Sequence, residues 1–280
     1  MDNFRMSKKT AFSAFLFFLC FSLSAQAGLR IFIEETNGQL TIVGSQGTIK
    51  ELNIPGTIND MPVTAIGEGA FSRKGLTLVT IPDSVIEIGE GAFAYNELST
   101  LVIGDNVQTI GQKAFSNNKL RDLTLGSGLV TIGMGAFSDN LLERIGIPSG
   151  VTTIEPYAFF YNRLRALTIP ENVTTIGEGA FSSNRITSLV IGQSVAEIGD
   201  GAFFDNQLNN ITIPASLGAL GKRVFESRIT KRGSAPQVDY VNETGDVVFT
   251  TANNFDSYFG STGKRAGSYT FSRDGWAFVD

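Results

Sequence analysis

A glycine-containing hexamer, Ile-Gly-Glu-Gly-Ala-Phe, occurs three times in the chain, at 66–71, 88–93 and 176–181. Glycine-rich loops bind phosphate groups when they follow a strand, open a helix and carry further glycines at fixed spacing. The hexamer lacks the third glycine and the strand–helix setting, and a phosphate loop would not be repeated along a chain. We therefore interpret the hexamer as a structural corner of a repeating fold.

Acidic residues recur at one position of this corner, at Glu68, Glu90, Glu178 and Asp200. Two carboxylates that act as acid and base need different environments to separate their pKa values. Equivalent positions of a repeat share one environment, and the column is broken by Gln112, Met134 and Pro156. The spacing of an EF-hand calcium loop is also absent. We expect these carboxylates to face solvent, with no catalytic or metal-binding role.

The composition excludes several function classes. The chain is 42% hydrophobic and 18% charged, which is typical of a folded protein rather than a disordered one. It has no histidine, the commonest general base and metal ligand, and its one cysteine is Cys20. No constellation of catalytic or cofactor-binding residues is recognisable. We predict a non-enzymatic protein without cofactor or metal.

Residues 1–27 have the pattern of a secretory signal peptide. Arg5, Lys8 and Lys9 precede an apolar run at 11–23, and Ala25-Gln26-Ala27 fits the cleavage site. A retained membrane anchor is the alternative, but the apolar run falls short of the roughly 20 residues that span a bilayer. Cleavage would remove Cys20 and change the formal net charge from −5 to −7 by taking away three basic residues and one acidic residue. We predict export to the extracellular space, cell surface or periplasm, no transmembrane segment in the mature chain, and no nucleic-acid partner.

A 22-residue repeat organises the rest of the chain. The phenylalanine that ends the hexamer recurs without slippage at Phe71, Phe93, Phe115, Phe137, Phe159, Phe181, Phe203 and Phe225. Self-similarity at a fixed period of this length is typical of a solenoid. Within one unit, Leu101 and Ile103 alternate with polar residues and predict a short strand, which Gly104 ends. Val107 and Ile110 predict a second extended or turn segment.

An asparagine column follows the phenylalanines by three residues, at Asn96, Asn118, Asn140, Asn162, Asn184 and Asn206. A carboxamide donates and accepts hydrogen bonds at once. The strict spacing favours a buried ladder that satisfies backbone groups of adjacent coils. The alternative is a set of exposed turn residues.

The recurring pattern L-x-x-L-x-I-P-x-x-V-x-x-I-G-x-x-A-F-x-x-N resembles the BspA-like class of bacterial leucine-rich repeats, over about residues 45–228. The resemblance implies a mainly β protein. Its fold would be a right-handed leucine-rich-repeat solenoid of stacked parallel short strands. It also implies a location at the cell envelope or outside the cell, and adhesion to proteins of a host or of other cells.

The ends of the solenoid need caps, and we divide the chain accordingly. Residues 28–50 alternate around Asn37-Gly38 and predict a β-hairpin cap, and residues 51–232 form the solenoid. The first repeat carries five extra residues near 59–62. Residues 233–280 predict a β-rich segment that holds Trp276, either as a C-terminal cap or as an attachment segment that binds carbohydrate or envelope.

The side chains that follow each phenylalanine are the candidate binding residues. Basic residues from four successive coils fall within seven positions of their phenylalanine: Lys119, Arg121, Arg144, Arg163, Arg165 and Arg185. Tyr95 and Tyr161, with Phe160 and Phe204, are expected to be exposed beside them, and aromatic residues next to arginine suit interface hot spots. A solvated edge of mixed charge is the alternative. A second possible contact face is the strand column of Thr80, Val102, Thr124, Thr168, Val190 and Thr212.

Two functions of different class follow. The first is a secreted or cell-surface protein that binds extracellular or host proteins through this basic edge. The second is a structural envelope protein that associates with itself through coil edges or its C-terminal segment. The oligomeric state and the ligand do not follow from the residues.

Overall fold

A computed structural model describes residues 29–226 in full, together with the backbone of 19–22, 240–241, 247–248, 267–272 and 275–279. These residues contain strands and turns and no helix. The strands are β1 Leu19–Ser22, β2 Arg30–Thr36, β3 Gln39–Gln46, β4 Glu51–Asn53, β5 Thr57–Ile58, β6 Met61–Ile66, β7 Leu78–Ile81, β8 Glu87–Ile88, β9 Thr100–Ile103, β10 Thr109–Ile110, β11 Thr131–Ile132, β12 Thr153–Ile154, β13 Ala166–Thr168, β14 Thr175–Ile176, β15 Ser188–Val190, β16 Glu197–Ile198, β17 Asn210–Ile213, β18 Ala219–Leu220, β19 Tyr240–Val241, β20 Val247–Val248, β21 Gly267–Ser272 and β22 Gly275–Val279.

The chain winds into a solenoid of stacked coils, which confirms the fold class predicted from the repeat. Strands of successive coils pair in parallel and in register at a 22-residue step, so that Thr109 lies beside Thr131 and Ile110 beside Ile132. One long sheet runs in the order β1-β2-β3-β6-β8-β10-β11-β12-β14-β16-β18. The predicted strand at 101–103 is β9, which pairs with β7. The strands β4, β7 and β9 form one shorter sheet, and β13, β15 and β17 belong to another. Together these strands make up the second strand face of the solenoid.

The phenylalanine column forms a continuous stack through the core. All eight rings are at most 1% exposed. Neighbouring ring centroids lie 5.2–5.7 Å apart with interplanar angles of 0–9°. The centroid distance exceeds the roughly 4.8 Å spacing of parallel strands, so the rings are offset along the stack, as aromatic quadrupoles prefer. Each coil alone leaves its ring open to water, and only the neighbouring coils bury it.

The corner before each phenylalanine is a turn, and no helix forms there. The residue two positions before the ring has a positive φ in every coil, with glycine at Gly69, Gly91, Gly135, Gly179 and Gly201. Lys113, Tyr157 and Arg223 occupy the same position with φ values of 53–58°. A residue other than glycine loses about 1–2 kcal/mol of conformational free energy in this region of φ. The side chains of Lys113, Tyr157 and Arg223 point into solvent at the corner and not into the core.

The N-terminal end is closed by the hairpin β2–β3, which turns at Asn37 and Gly38 with φ values of 54° and 76°. Strand β3 then pairs in parallel with β6 and so joins the hairpin to the solenoid sheet. The extra residues of the first repeat form a second small hairpin, β5–β6, whose turn residues Asn59 and Asp60 also have positive φ. Strand β1, within the predicted signal peptide, pairs with the outer edge of β2.

At the C-terminal end, β21 pairs antiparallel with β17, and β22 pairs with β21. The hairpin therefore extends the second strand face beyond the last repeat. Strands β19 and β20 form a separate antiparallel pair. The side chain of Trp276, and with it the predicted attachment role, lies outside the described residues.

Candidate interaction surface

The asparagine column is buried and ties each coil to the one before it. The six side chains are 1–7% exposed. Asn140 shows the pattern: its Oδ1 accepts the backbone N–H of Leu120 at 3.1 Å, and its Nδ2 donates to the carbonyl of Phe115 at 3.0 Å, both in the preceding coil. Nδ2 also lies 3.3 Å from the carbonyl of Phe137 in its own coil. The ladder fixes the loop that carries the candidate binding residues.

The residue just before each asparagine is held in the left-handed region. Tyr95, Asn117, Asp139, Tyr161, Ser183 and Asp205 have φ values of 54–58°, and Arg73, which precedes Lys74 at the same position of the repeat, has a φ of 58°. The backbone N–H of Tyr161 donates to the carbonyl of Ser182 in the next coil at 3.0 Å, so the unusual conformation is set by coil stacking. Tyr161 is 61% exposed. The backbone that carries this aromatic side chain is thus fixed by the neighbouring coil, while the ring itself lies in solvent.

Tyr161 borders a groove of about 340 Å³ together with Arg163, Arg185, Asp205 and Gln207. Arg163 and Arg185 occupy the same position of adjacent coils. Among the described residues, no carboxylate lies within 4 Å of either guanidinium, although Asp205 also lines the groove. The groove therefore offers two adjacent cations and one exposed ring.

The other four basic residues of the predicted edge lie next to carboxylates. Arg121 and Arg165 converge on Glu143 at 4.0 and 3.9 Å, Arg144 lies 3.6 Å from Asp122, and Lys119 lies 3.7 Å from Glu97. All are exposed pairs, which contribute little to stability. They do cancel much of the positive charge, so the six residues do not form one uniformly basic stripe.

The other three aromatic residues that were predicted to be exposed differ in their burial. Tyr95 is 47% exposed, and the guanidinium of Arg73 lies 4.1 Å from the centre of its ring. Phe204 is only 9% exposed, with the Arg223 guanidinium 4.7 Å from its ring, so the expectation that it is exposed is wrong. Phe160 is partly buried and packs edge-on against Tyr157. Ser116, Ser138 and Ser182 at the same position are buried, a signal in the sequence that this column points inward.

The threonine and valine column lies on the second strand face. This agrees with the sequence, in which Val102 alternates with the core residues Leu101 and Ile103. Thr80 pairs with Val102, Val102 with Thr124, and Thr168 with Val190. Val102 and Val190 are 51% and 41% exposed. Singly exposed valines among threonines are ordinary on a protein surface, so this face gives no specific indication of a partner.

The corner carboxylates are exposed, and one of them contacts a tyrosine. The hydroxyl of Tyr157 donates to Glu178, and this hydrogen bond, then partial burial and the negative charge, raise the pKa of Tyr157 above its ordinary value of 10.0. No group of three or more Asp, Glu, His or Cys side chains in the described part of the chain could hold a metal ion. The same residues contain no helix long and apolar enough to cross a membrane.

A second ladder, of carboxylates, was not foreseen from the sequence. The backbone N–H of Asp105 donates to Asp83 Oδ1 at 2.9 Å, and that of Ser127 donates to Asp105 Oδ1 at 3.2 Å. Further along the solenoid, the N–H of Gln193 donates to Glu171 at 2.6 Å. These residues share one position after the proline or glycine that ends each strand. The 22-residue spacing of the acidic and polar residues was the available signal.

The repeat pattern and the observed coils agree with one family of known proteins. A family model described as BspA type leucine rich repeat region, in six copies, matches residues 45–165 and 152–274. The chain belongs to the BspA-type leucine-rich repeat family. Comparison with curated proteins gives no significant match to this BspA-type protein.

Solved structures with TM-scores above 0.5 show the same fold. A leucine-rich repeat protein from Bacteroides ovatus is 29% identical with a TM-score of 0.58, over 70% of this chain and 54% of that one. The chain thus spans about half the length of that relative. The pneumococcal vaccine antigen PcpA is 19% identical with a TM-score of 0.51, over 71% of each chain. A leucine rich cell surface protein from Faecalibacterium prausnitzii is 23% identical over 74% of this chain and 79% of that one, with a TM-score of 0.45.

Proposed function

We propose that this BspA-type protein is exported and acts outside the cytoplasm as a non-enzymatic binding module for an acidic segment of another protein. The observation that carries the proposal is the groove at Tyr161, Arg163 and Arg185. It combines an exposed aromatic ring on a fixed backbone with two arginines that have no described carboxylate within 4 Å. Tyrosine and arginine are the residues that most often dominate binding energy at protein interfaces.

The solenoid supports this role physically. Each arginine is attached to a coil whose loop is fixed by a buried asparagine, Asn162 for Arg163 and Asn184 for Arg185. A partner therefore meets a surface that is already in place, and less ordering entropy opposes binding. The arginines attract carboxylates over a distance of about 8–10 Å at ordinary salt, so association should weaken as salt rises.

The signal-peptide pattern at 1–27 supports a partner outside the cell. We infer that the partner is an extracellular or host protein and that the protein acts in adhesion. Mass spectrometry of the chain secreted by a bacterial host tests the export: the N-terminus should be Gly28. A chain that retains residues 1–27 would contradict it.

The groove is tested with the variant Arg163→Glu/Arg185→Glu. The purified protein is used to capture ligands from serum and extracellular matrix, and each captured protein is then titrated against wild type and variant. We expect the double reversal to weaken binding by about tenfold or more, and Tyr161→Ala to do the same, because each removes a hot-spot side chain.

The matched control is Lys113→Glu/Lys222→Glu, which makes the same change in net charge at the exposed glycine corner. It should leave affinity within about twofold, since surface substitutions away from a contact have small effects. Equal losses in both double variants would show a general charge effect and not a site. Unchanged binding in Arg163→Glu/Arg185→Glu would exclude the groove.

A further inference from the structure

The outer edge of β2 is a regular strand edge at the N-terminal end of the solenoid sheet. The hairpin contains a bulge, but the extra residue, Val43, lies in β3, because Phe32 pairs with Gly44 and Ile33 pairs with Ile42. Strand β2 itself continues without interruption. On its outer side, Leu19–Ser22 pairs with Arg30–Ile33 without a register shift. The backbone of β2 is therefore ready to accept an antiparallel strand.

Cleavage after Ala27 would remove that partner strand. Leu29, which follows the predicted cleavage site, is buried in the core, and β2 stays paired to β3, so the hairpin remains part of the solenoid. The backbone groups on the outer edge of β2 would then lack their partner, and such an edge tends to pair with another strand.

The residues of β2 are complementary to a second copy of β2. In an antiparallel pair centred on Phe32, Arg30 of each copy lies opposite Glu34 of the other. Arg30 and Glu34 have the same side-chain direction because they are four residues apart on one strand. The buried Ile31 of each copy also lies opposite Ile33 of the other, so the apolar side chains of both strands stay on the core side of the joined sheet.

The outer face of β2 is suited to this contact. Phe32 is partly buried against Gly44, whose missing side chain leaves room for the ring, with its Cδ2 only 3.3 Å from where a Cβ would be. In the described residues, neither Arg30 nor Glu34 lies within 4 Å of an oppositely charged group. A two-fold symmetric pair of β2 strands would form two Arg30–Glu34 ion pairs, one at each end of the contact.

We propose that the processed chain forms a two-fold symmetric dimer through antiparallel pairing of β2 with β2 of a second copy, which joins the long sheets of two solenoids into one. The inference rests on the proposed export, because the uncleaved segment Leu19–Ser22 occupies the same edge. It gives a specific site to the self-association considered above as a second function class.

The test compares chains that begin at Gly28 by sedimentation equilibrium over a range of concentrations. The wild-type chain should reach twice the monomer mass. Arg30→Glu and Glu34→Arg should each remain monomeric, because each places like charges opposite one another at both ends of the pair. The charge swap Arg30→Glu/Glu34→Arg restores both ion pairs and should restore the dimer.

Two controls separate this edge from other causes. Lys113→Glu reverses a charge away from the edge and should dimerise like wild type, and far-ultraviolet circular dichroism should be the same for all variants. The full chain that retains residues 1–27 should be monomeric, since β1 covers β2. A monomeric wild-type chain, a dimeric Arg30→Glu chain, or a swap that fails to dimerise would each overturn the proposal.

The dimer test and the ligand-binding test of the groove can fail separately. Ligand capture by Arg30→Glu should equal that of wild type, because five strands of the long sheet (β3, β6, β8, β10 and β11) separate β2 from β12, the strand that precedes Arg163. A dimer without ligand binding would reject the groove alone, and ligand binding by a strict monomer would reject the dimer alone.

Discussion

The backbone N–H of Leu98 donates a hydrogen bond to Oδ1 of Asn118, 20 residues later and one coil further on, at 3.0 Å. The amide nitrogen of Asn118 donates back to the carbonyl of Phe93, also at 3.0 Å. One side chain thus satisfies a donor and an acceptor of the preceding coil in a buried site. Repetition of this contact along the solenoid ties each coil to the next, in addition to the phenylalanine stack.

Replacement of this asparagine should be costly. Asn118→Ala leaves the buried N–H of Leu98 without its partner, and we expect the free energy of unfolding to fall by about 2–3 kcal/mol, measured by urea denaturation. Asn106 provides the control, because it is exposed and makes one side-chain bond, to the carbonyl of Asp83. Asn106→Ala should cost less than about 1 kcal/mol. Equal losses would show that the buried position has no special role.

The phenylalanine stack should be most sensitive in the middle of the solenoid. Phe137 has a stacked ring on each side, whereas Phe225 is the last ring of the column. Phe137→Ala should lower the free energy of unfolding by about 3–5 kcal/mol, the usual cost of a large core cavity. In a solenoid, loss of an end coil is partly tolerated, so Phe225→Ala should cost less. Thermal denaturation followed by circular dichroism measures both. A larger effect at Phe225 would contradict the nearest-neighbour picture.

Two glycines at neighbouring coils should respond oppositely to alanine. A Cβ on Gly126 would lie 2.4 Å from the carbonyl oxygen of Gly104 in the preceding coil, whereas a Cβ on Gly146 would meet nothing within 4 Å. Gly126→Ala should therefore destabilise the protein by about 1–3 kcal/mol through steric strain. Gly146→Ala should be neutral or stabilising by up to about 1 kcal/mol, because alanine reduces the entropy of the unfolded chain. Urea denaturation of both variants decides this, and a stable Gly126→Ala would show that the coils can separate.

Tyr157 should titrate at higher pH than an ordinary tyrosine. Its hydrogen bond to Glu178 favours the protonated phenol and raises its pKa above 10.0. Since the pKa is higher in the folded than in the unfolded state, the stabilising contribution is present below pH 10.0 and is lost as pH rises through the folded pKa. The tyrosinate absorbance of wild type minus Tyr157→Phe gives the titration. Glu178→Gln should move it back toward the ordinary value, and an unchanged titration would exclude Glu178 as the cause.

Much of the fold could be predicted because the coil length equals the sequence period. Residues at identical positions of a 22-residue unit must lie above one another when every coil has the same length, so the phenylalanine and asparagine columns had to be stacked. The hairpin at Asn37-Gly38 was equally accessible, since a two-residue turn with positive φ at both positions suits these two residue types. Such features depend on contacts that are local in the coil or identical between coils.

The candidate surface was only partly predictable. The column positions place Arg121 and Arg165 two coils apart, but their convergence on the carboxylate of Glu143 depends on the directions of long, flexible side chains. For the same reason, the sequence did not separate the paired arginines from Arg163 and Arg185. Phe204 was expected in solvent, yet its ring lies beside the Arg223 guanidinium and is nearly buried.

The sequence alone therefore determined the period, the strand positions, the inward-facing columns and the coil-to-coil register. These follow from backbone geometry and from the burial of apolar side chains, which repeat with the chain. Only the tertiary structure decided which charges are neutralised, which aromatic rings stay in solvent, and that the outer edge of β2 is regular and pairs with Leu19–Ser22. Those properties arise between residues that are distant in sequence and differ from coil to coil, so no repeat unit contains them.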